Sequence, residues 1–198
     1  MRKFVFLDRD GVINEDVGYL TDFAKQWHWC EGAPEALALL HRSAYQPVIV
    51  TNQSAVGRGM MTEVQLHYVH AQAAMHLNWS QKVYCWPPTF YCPHAPGDEC
   101  GCRKPMTGLR TQVLQYFPGG CHNHSWMVGN SACDREFANR VGLHYAHVPD
   151  DYPTLMDFVQ QLLKEQICAE EPAVAASEKE TSRHRAAHHS TGRSSDPL

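Results

Sequence analysis

The chain of 198 residues has no run of 18 apolar residues, so nothing in it reads as a membrane span. It also lacks a basic excess: 17 Lys and Arg face 21 Asp and Glu, a net charge of −4 that leaves no footprint for nucleic acid. No internal repeat is found. The N-terminal apolar run is broken by Asp8, Arg9 and Asp10, which predicts no secretory signal and a cytoplasmic address. The hydrophobic content of 43% is ordinary for a globular protein, and the length suits one domain with a proper core.

Cysteine is present in quantity: Cys30, Cys85, Cys92, Cys100, Cys102, Cys121, Cys133 and Cys168. In a reducing compartment these read as thiols, and three of them cluster with a histidine. Cys92-x-His94 and Cys100-x-Cys102 offer four soft ligands across a turn-rich loop. Structural zinc takes such sets in all four tetrahedral places and leaves none open for catalysis. Buried thiols beside a surface histidine, or a disulfide, are the alternatives. Arg103-Lys104-Pro105 follow at once, and a loop presenting two fixed cations suits anion recognition.

Phe4-Val5-Phe6-Leu7 suits a strand buried on both faces of a parallel sheet, and it stops at Asp8-Arg9-Asp10-Gly11. Paired carboxylates at a strand end suggest a nucleophile with an acid/base partner sharing a hard cation; an acidic turn is the plainer reading. Strand-like and helix-like segments alternate thereafter, predicting an α/β domain with a mostly parallel sheet. Helices are expected at 34–42, 62–78 (opened by a capping box of Thr62 and Gln65), 107–117, about 134–142 and 153–167. Strands are expected at 47–50, 90–91, 126–128 and 145–148. The domain is predicted over 1–168. Residues 169–198, rich in Ala, Ser, Glu, Arg and His with no apolar period, are predicted to be a disordered tail.

Taken together, these residues resemble the haloacid-dehalogenase-like (HAD) phosphatases. Asp8-x-Asp10-Gly11, Thr51, Lys104 and Gly129-Asn130 through Asp134 fall in the order of that superfamily's four motifs. Phe6 to Asn14, Gly18-Tyr19-Leu20, Thr51-Asn52-Gln53-Ser54, Gly57-Arg58-Gly59, Cys92-Pro93-His94 and Cys100-x-Cys102-Arg103-Lys104-Pro105 resemble its heptose-bisphosphate and histidinol-phosphate phosphatase branch. The similarity spans roughly residues 3–160.

The resemblance implies a three-layer Rossmann-like fold without a large cap, a zinc-stapled loop at Cys92, His94, Cys100 and Cys102, and a monomer. It implies magnesium-dependent hydrolysis of the 7-phosphate of D-glycero-D-manno-heptose 1,7-bisphosphate, a small phosphosugar; histidinol phosphate is the alternative substrate. Asp8 is then the nucleophile that becomes an aspartyl phosphate, and Asp10 the acid and base. Asp8, Asp10, Asn130 and Asp134 are the expected magnesium ligands. Thr51 and Lys104 hold the phosphoryl oxygens, Arg103 contacts substrate, and Asp16, Gly18, Tyr19, Asn52, Gln53 and Ser54 line the pocket. One position departs from the pattern: Asn130 stands where motif four has Asp. A neutral ligand weakens magnesium binding. The departure fits a weaker metal site, a shifted substrate, or a relative that binds phosphosugar without turnover.

Overall fold

The computed structural model describes residues 2–82, 84 and 86–166. Its centre is β1 (Arg2–Leu7), in which Phe4, Val5, Phe6 and Leu7 are all fully buried. An unbroken apolar run is needed because successive side chains point to opposite faces, and both faces here are covered. β2 (Tyr45–Asn52) lies on one side of β1 and β4 (Gly120–Gly129) on the other. β3 (Thr89–Cys92) and β5 (His144–His147) complete a five-stranded sheet of order β3-β2-β1-β4-β5, and every pairing is parallel.

The intervening helices are α1 (Phe23–Gln26), α2 (Ala33–His41), α3 (Ser54–Gly57), α4 (Glu63–Gln81), α5 (Gly108–Tyr116) and α6 (Ala132–Val141). α5 and α6 cover one sheet face: Leu109, Val113, Phe137 and Ala138 pack with Phe4, Phe6, Val48, Val50 and Met127. On the other face α2 packs against β2 and α4. Burying one such large apolar side chain stabilises the fold by about 1.5–3 kcal/mol. Among the described residues no cap domain is inserted, as expected for this three-layer α/β fold.

Local chemistry sets the helix ends. Gln65 N–H donates to Thr62 Oγ1 at 3.2 Å and Thr62 N–H donates to Gln65 Oε1 at 2.7 Å, the reciprocal cap expected at the start of α4. Gly142 ends α6 at φ +72°, a left-handed position that glycine occupies without a Cβ penalty. Three elements differ from the expectation. β4 begins at Gly120, six residues before the apolar Trp126-Met127-Val128, because Gly120 and Cys121 pair with Arg2 and Lys3 of β1 ahead of an irregularity in the register. α1 and α3 span four residues each, too short to show a helical period in the sequence.

The chain divides into two compact units, 1–160 and 161–198. Residues 155–160 are helical in the first, and 161–166, the described part of the second, are helical as well. The tail expected over 169–198, and the domain boundary at 168, lie outside the described residues. Among the described residues no helix is long and apolar enough to cross a membrane.

Candidate active site

Leu7 pairs with Ile49 of β2 and Val128 of β4, so the chain segments that follow these three strands emerge side by side. This carboxyl edge, where the order reverses around β1, is where open α/β sheets bind ligands. Asp8 is anchored there by its own N–H, which donates to Val128 O at 2.9 Å. Its Oδ1 accepts from Arg9 N–H at 2.8 Å and lies 2.9 Å from Lys104 Nζ. Both contacts fall on Oδ1, and the Asp8 side chain keeps 13% of its surface exposed. Burial pushes the Asp8 carboxyl up to about 6; Lys104 pulls it down, while Asp134 and Asp10 add repulsion.

Lys104 is buried, and its Nζ also donates to Asp134 Oδ1 at 2.6 Å. Burial alone would lower the lysine's pKa, but the Asp8 and Asp134 carboxylates override it and hold the ammonium charged above its ordinary value. Asp134 is itself fully buried, and its Oδ2 accepts from Ser131 N–H at 3.2 Å and Ser131 Oγ at 2.5 Å. Both carboxylate oxygens are therefore engaged. Asp134, expected as a magnesium ligand, is the counter-ion of Lys104 and caps α6.

Asp10 points into a different set of donors. Arg9 forks onto it, Nη2 lying 2.8 Å from Oδ1 and 2.9 Å from Oδ2. Asn14 Nδ2 donates to Oδ1 at 3.0 Å and Gln53 Nε2 to Oδ2 at 2.8 Å. Burial opposes ionisation of Asp10, but the Arg9 charge and these donors outweigh it and hold the carboxyl below its ordinary range. The sequence reading missed Arg9, Asn14 and, behind them, His70, whose Nε2 lies 3.1 Å from Arg9 Nη1. Arg9, set between the two aspartates and almost fully buried, carried the available signal.

Gln53 Nε2 also donates to Thr51 Oγ1 at 2.9 Å, so Thr51, Gln53 and Asp10 form one chain of contacts. Asn52, expected to line the pocket, bonds to the chain at Lys104. Its Oδ1 accepts from Lys104 N–H at 2.9 Å and its Nδ2 donates to Lys104 O at 3.1 Å, so its amide grips the lysine's backbone. Ser54 opens α3 beside Gln53. Asp16 Oδ1 accepts from Gly18 N–H at 2.8 Å in an exposed turn, with Gly18 at φ +76°. Tyr19 follows, its ring 5.6 Å from the Arg58 guanidinium carbon. Asp16, Gly18 and Tyr19 thus form a surface loop braced by their own backbone.

Asn130, after the end of β4, packs its amide against Gly11. A Cβ at Gly11 would overlap Asn130 Nδ2, and φ +80° at Gly11 independently favours glycine. The neutral residue of motif four is thereby seated directly against the backbone that follows Asp10.

The thiol–imidazole cluster forms as expected. Ligand atoms of Cys92, His94, Cys100 and Cys102 all lie within 4.8 Å of one another. Cys92 Sγ is 3.7 Å from Cys100 Sγ and 3.1 Å from Cys102 Sγ, and His94 Nδ1 is 3.4 and 3.2 Å from Cys92 and Cys102 Sγ. Thiolate bonds of about 2.3 Å to zinc set tetrahedral edges of about 3.8 Å, so the four donors fit one ion after slight expansion. The cysteines are free thiols, which excludes the disulfide alternative among the described residues. Arg103 Nη1 donates to His94 O at 3.3 Å, tying the fork of the first expected anion ligand to this loop.

No family model matches the chain. Curated proteins do. The chain is 31% identical over 182 residues to a D-glycero-beta-D-manno-heptose-1,7-bisphosphate 7-phosphatase of Neisseria meningitidis, covering 82% of this chain and 96% of that protein. It is 38% identical over 140 residues to a D-glycero-alpha-D-manno-heptose-1,7-bisphosphate 7-phosphatase of Mycobacterium bovis, covering 69% and 72%. Among solved structures, the D,D-heptose 1,7-bisphosphate phosphatase of B. bronchiseptica, in complex with magnesium and phosphate, matches with a TM-score of 0.72 at 26% identity. That match covers 82% of this chain and 99% of the other. With an Asp–Lys–Asp array at the sheet's carboxyl edge and a Cys/His loop leading into the lysine, the chain belongs to the D-glycero-D-manno-heptose-1,7-bisphosphate 7-phosphatase family of HAD phosphatases.

Proposed function

We propose that the protein removes the 7-phosphate from D-glycero-D-manno-heptose 1,7-bisphosphate by way of an aspartyl phosphate on Asp8. The observation that carries the reading is the placement of Asp8 at the carboxyl edge of the sheet, its Oδ1 held by Lys104 and Oδ2 outside these contacts. Attack by Oδ2 forms the Asp8–phosphorus ester as the bond from phosphorus to the sugar oxygen breaks. The leaving alkoxide takes a proton that Asp10 has first acquired from solvent, and the Asp10 carboxylate so regenerated then takes one from the water that hydrolyses the ester. The free protein holds Asp10 ionised, which is the form that activates water. The Lys104 ammonium and the Thr51 hydroxyl hold the transferring oxygens, and Arg103 contacts the distal phosphate.

The donors at the strand ends fit magnesium: a carboxylate oxygen of Asp8, the Asp10 carbonyl and the Asn130 amide oxygen are hard ligands. When bound, the ion neutralises charge on the phosphoryl group. The Cys/His loop fits zinc with no position left open, a structural role. Persistent thiols accord with a cytoplasmic location.

The test is phosphate release from the heptose bisphosphate across a magnesium titration, with histidinol phosphate as the comparison. The expected result is metal-dependent turnover of the bisphosphate in clear preference. Absence of release at every magnesium concentration, with the bisphosphate still bound, would establish a binding protein instead. Preference for histidinol phosphate would move the substrate assignment. The relatives include both beta and alpha enzymes, so both anomers belong in the assay.

A further inference from the structure

α4 has two apolar sides. Leu66, Val69, Ala73 and Leu77 are buried against the domain. Val64, Tyr68, Met75 and Trp79, in contrast, are 78, 61, 64 and 87% exposed. At 3.6 residues per turn, positions 64, 68, 71, 75 and 79 fall within about 80° of one another, a single stripe. From Val64 to Gln81 the helix contains no Asp, Glu, Lys or Arg. A helix side that faces water normally carries charge. Charge depletion with Met and aromatic enrichment is the composition of an interface core.

We propose that this face pairs with the same face of a second copy, the two α4 helices running antiparallel about a two-fold axis between Ala71 and Gln72. A two-fold interface must be self-complementary. In one antiparallel register Val64 faces the second copy's Trp79, Tyr68 faces Met75 and Ala71 faces Gln72. The small Ala71 at the crossing lets the helix axes approach to about 8–10 Å. Glu63 and Lys82, the charged residues that bracket the uncharged stretch, come together across each end.

At the carboxyl end of α4, Met75, Trp79, Lys82 and Tyr84 line a shallow groove of about 690 Å³, which receives the second copy's Val64. With aromatic side chains burying about 150–250 Å² each, the patch offers on the order of 600 Å² per copy. That approaches the roughly 800 Å² per partner of a standard interface. Association of this kind is independent of the phosphatase reading and differs from the monomer that the resemblance implies.

Sedimentation velocity of the full chain, over about 1–100 μM, tests the pairing. The expected species has twice the 22.4 kDa chain mass. Trp79→Glu raises the dissociation constant at least tenfold. Tyr68→Glu and Met75→Lys each dissociate the dimer alone, and together in one chain they restore it, because the pair meets only across the two-fold axis. All these positions are largely exposed, so unchanged circular dichroism will show that the variants fold. A chain monomeric throughout the range, a dimer indifferent to Trp79→Glu, or a double variant that stays dissociated would each overturn the proposal.

Discussion

Lys104 Nζ lies 2.9 Å from Asp8 Oδ1 with the lysine side chain wholly out of solvent, so the charge of the proposed nucleophile is balanced inside the protein. Lys104→Met removes that balance and leaves the Asp8 and Asp134 carboxylates facing each other. Breaking a buried charge pair by deleting one partner costs about 3–5 kcal/mol. Urea denaturation should show a loss of that order, and turnover should fall at least about 100-fold. A variant as stable as the parent would show that the lysine is not the counter-ion.

Asn130 is the neutral residue at the metal edge, packed against Gly11. Asn130→Asp adds a charged hard ligand at nearly constant volume, so the magnesium concentration for half-maximal turnover should drop several-fold. An unchanged midpoint refutes a ligand role for this side chain. Gly11→Ala should lower turnover in the same assay, because φ +80° strains any side chain there and its Cβ displaces the Asn130 amide.

His70 gives the fold a pH dependence. Arg9 can only donate, so the His70 Nε2 that it meets at 3.1 Å accepts and must be unprotonated. Burial, followed by the Arg9 and His67 charges, pushes His70 down to about 3, while Asp10 opposes the shift only weakly. The unfolded chain takes up this proton near pH 6.5 and the folded one does not. Stability is therefore complete above about 6.5 and is lost as pH falls toward 3, by up to about 1.4 kcal/mol per pH unit. His70→Gln retains an acceptor for Arg9 and should flatten this slope in denaturation measured between pH 4 and 7.

The Cys/His loop predicts a dependence on zinc. Cys102→Ser, or chelation of the holoprotein, should remove one zinc per chain by elemental analysis and lower the melting temperature. The same treatment frees the loop that Arg103 grips through His94 O, so KM for substrate should rise. Full activity in protein shown to be zinc-free would rule out the stapling role.

Strands were legible where burial dictated composition: the run before Asp8 had to be apolar on both faces, and it is. The metal loop was legible because ligand spacing is a local property of the chain. The Thr62–Gln65 cap and the Gly142 stop were local too. What stayed hidden was long-range. Nothing near Asn52 shows that its amide will grip the backbone of Lys104, and nothing near Asp134 shows which cation will fill its oxygens. Arg9 was visible, but its turn back onto Asp10 depends on His70 arriving from α4.

The bond between Asp134 and Lys104 bears on how the protein is made. Asp8 leaves the ribosome early, followed much later by its cation, and later still by the carboxylate that holds that cation in place. Until α6 has emerged, the nascent chain exposes an unbalanced aspartate at the end of β1 and cannot close its catalytic edge. Chains cut short before α6 should therefore be inert and easily proteolysed, however much of the sheet they contain.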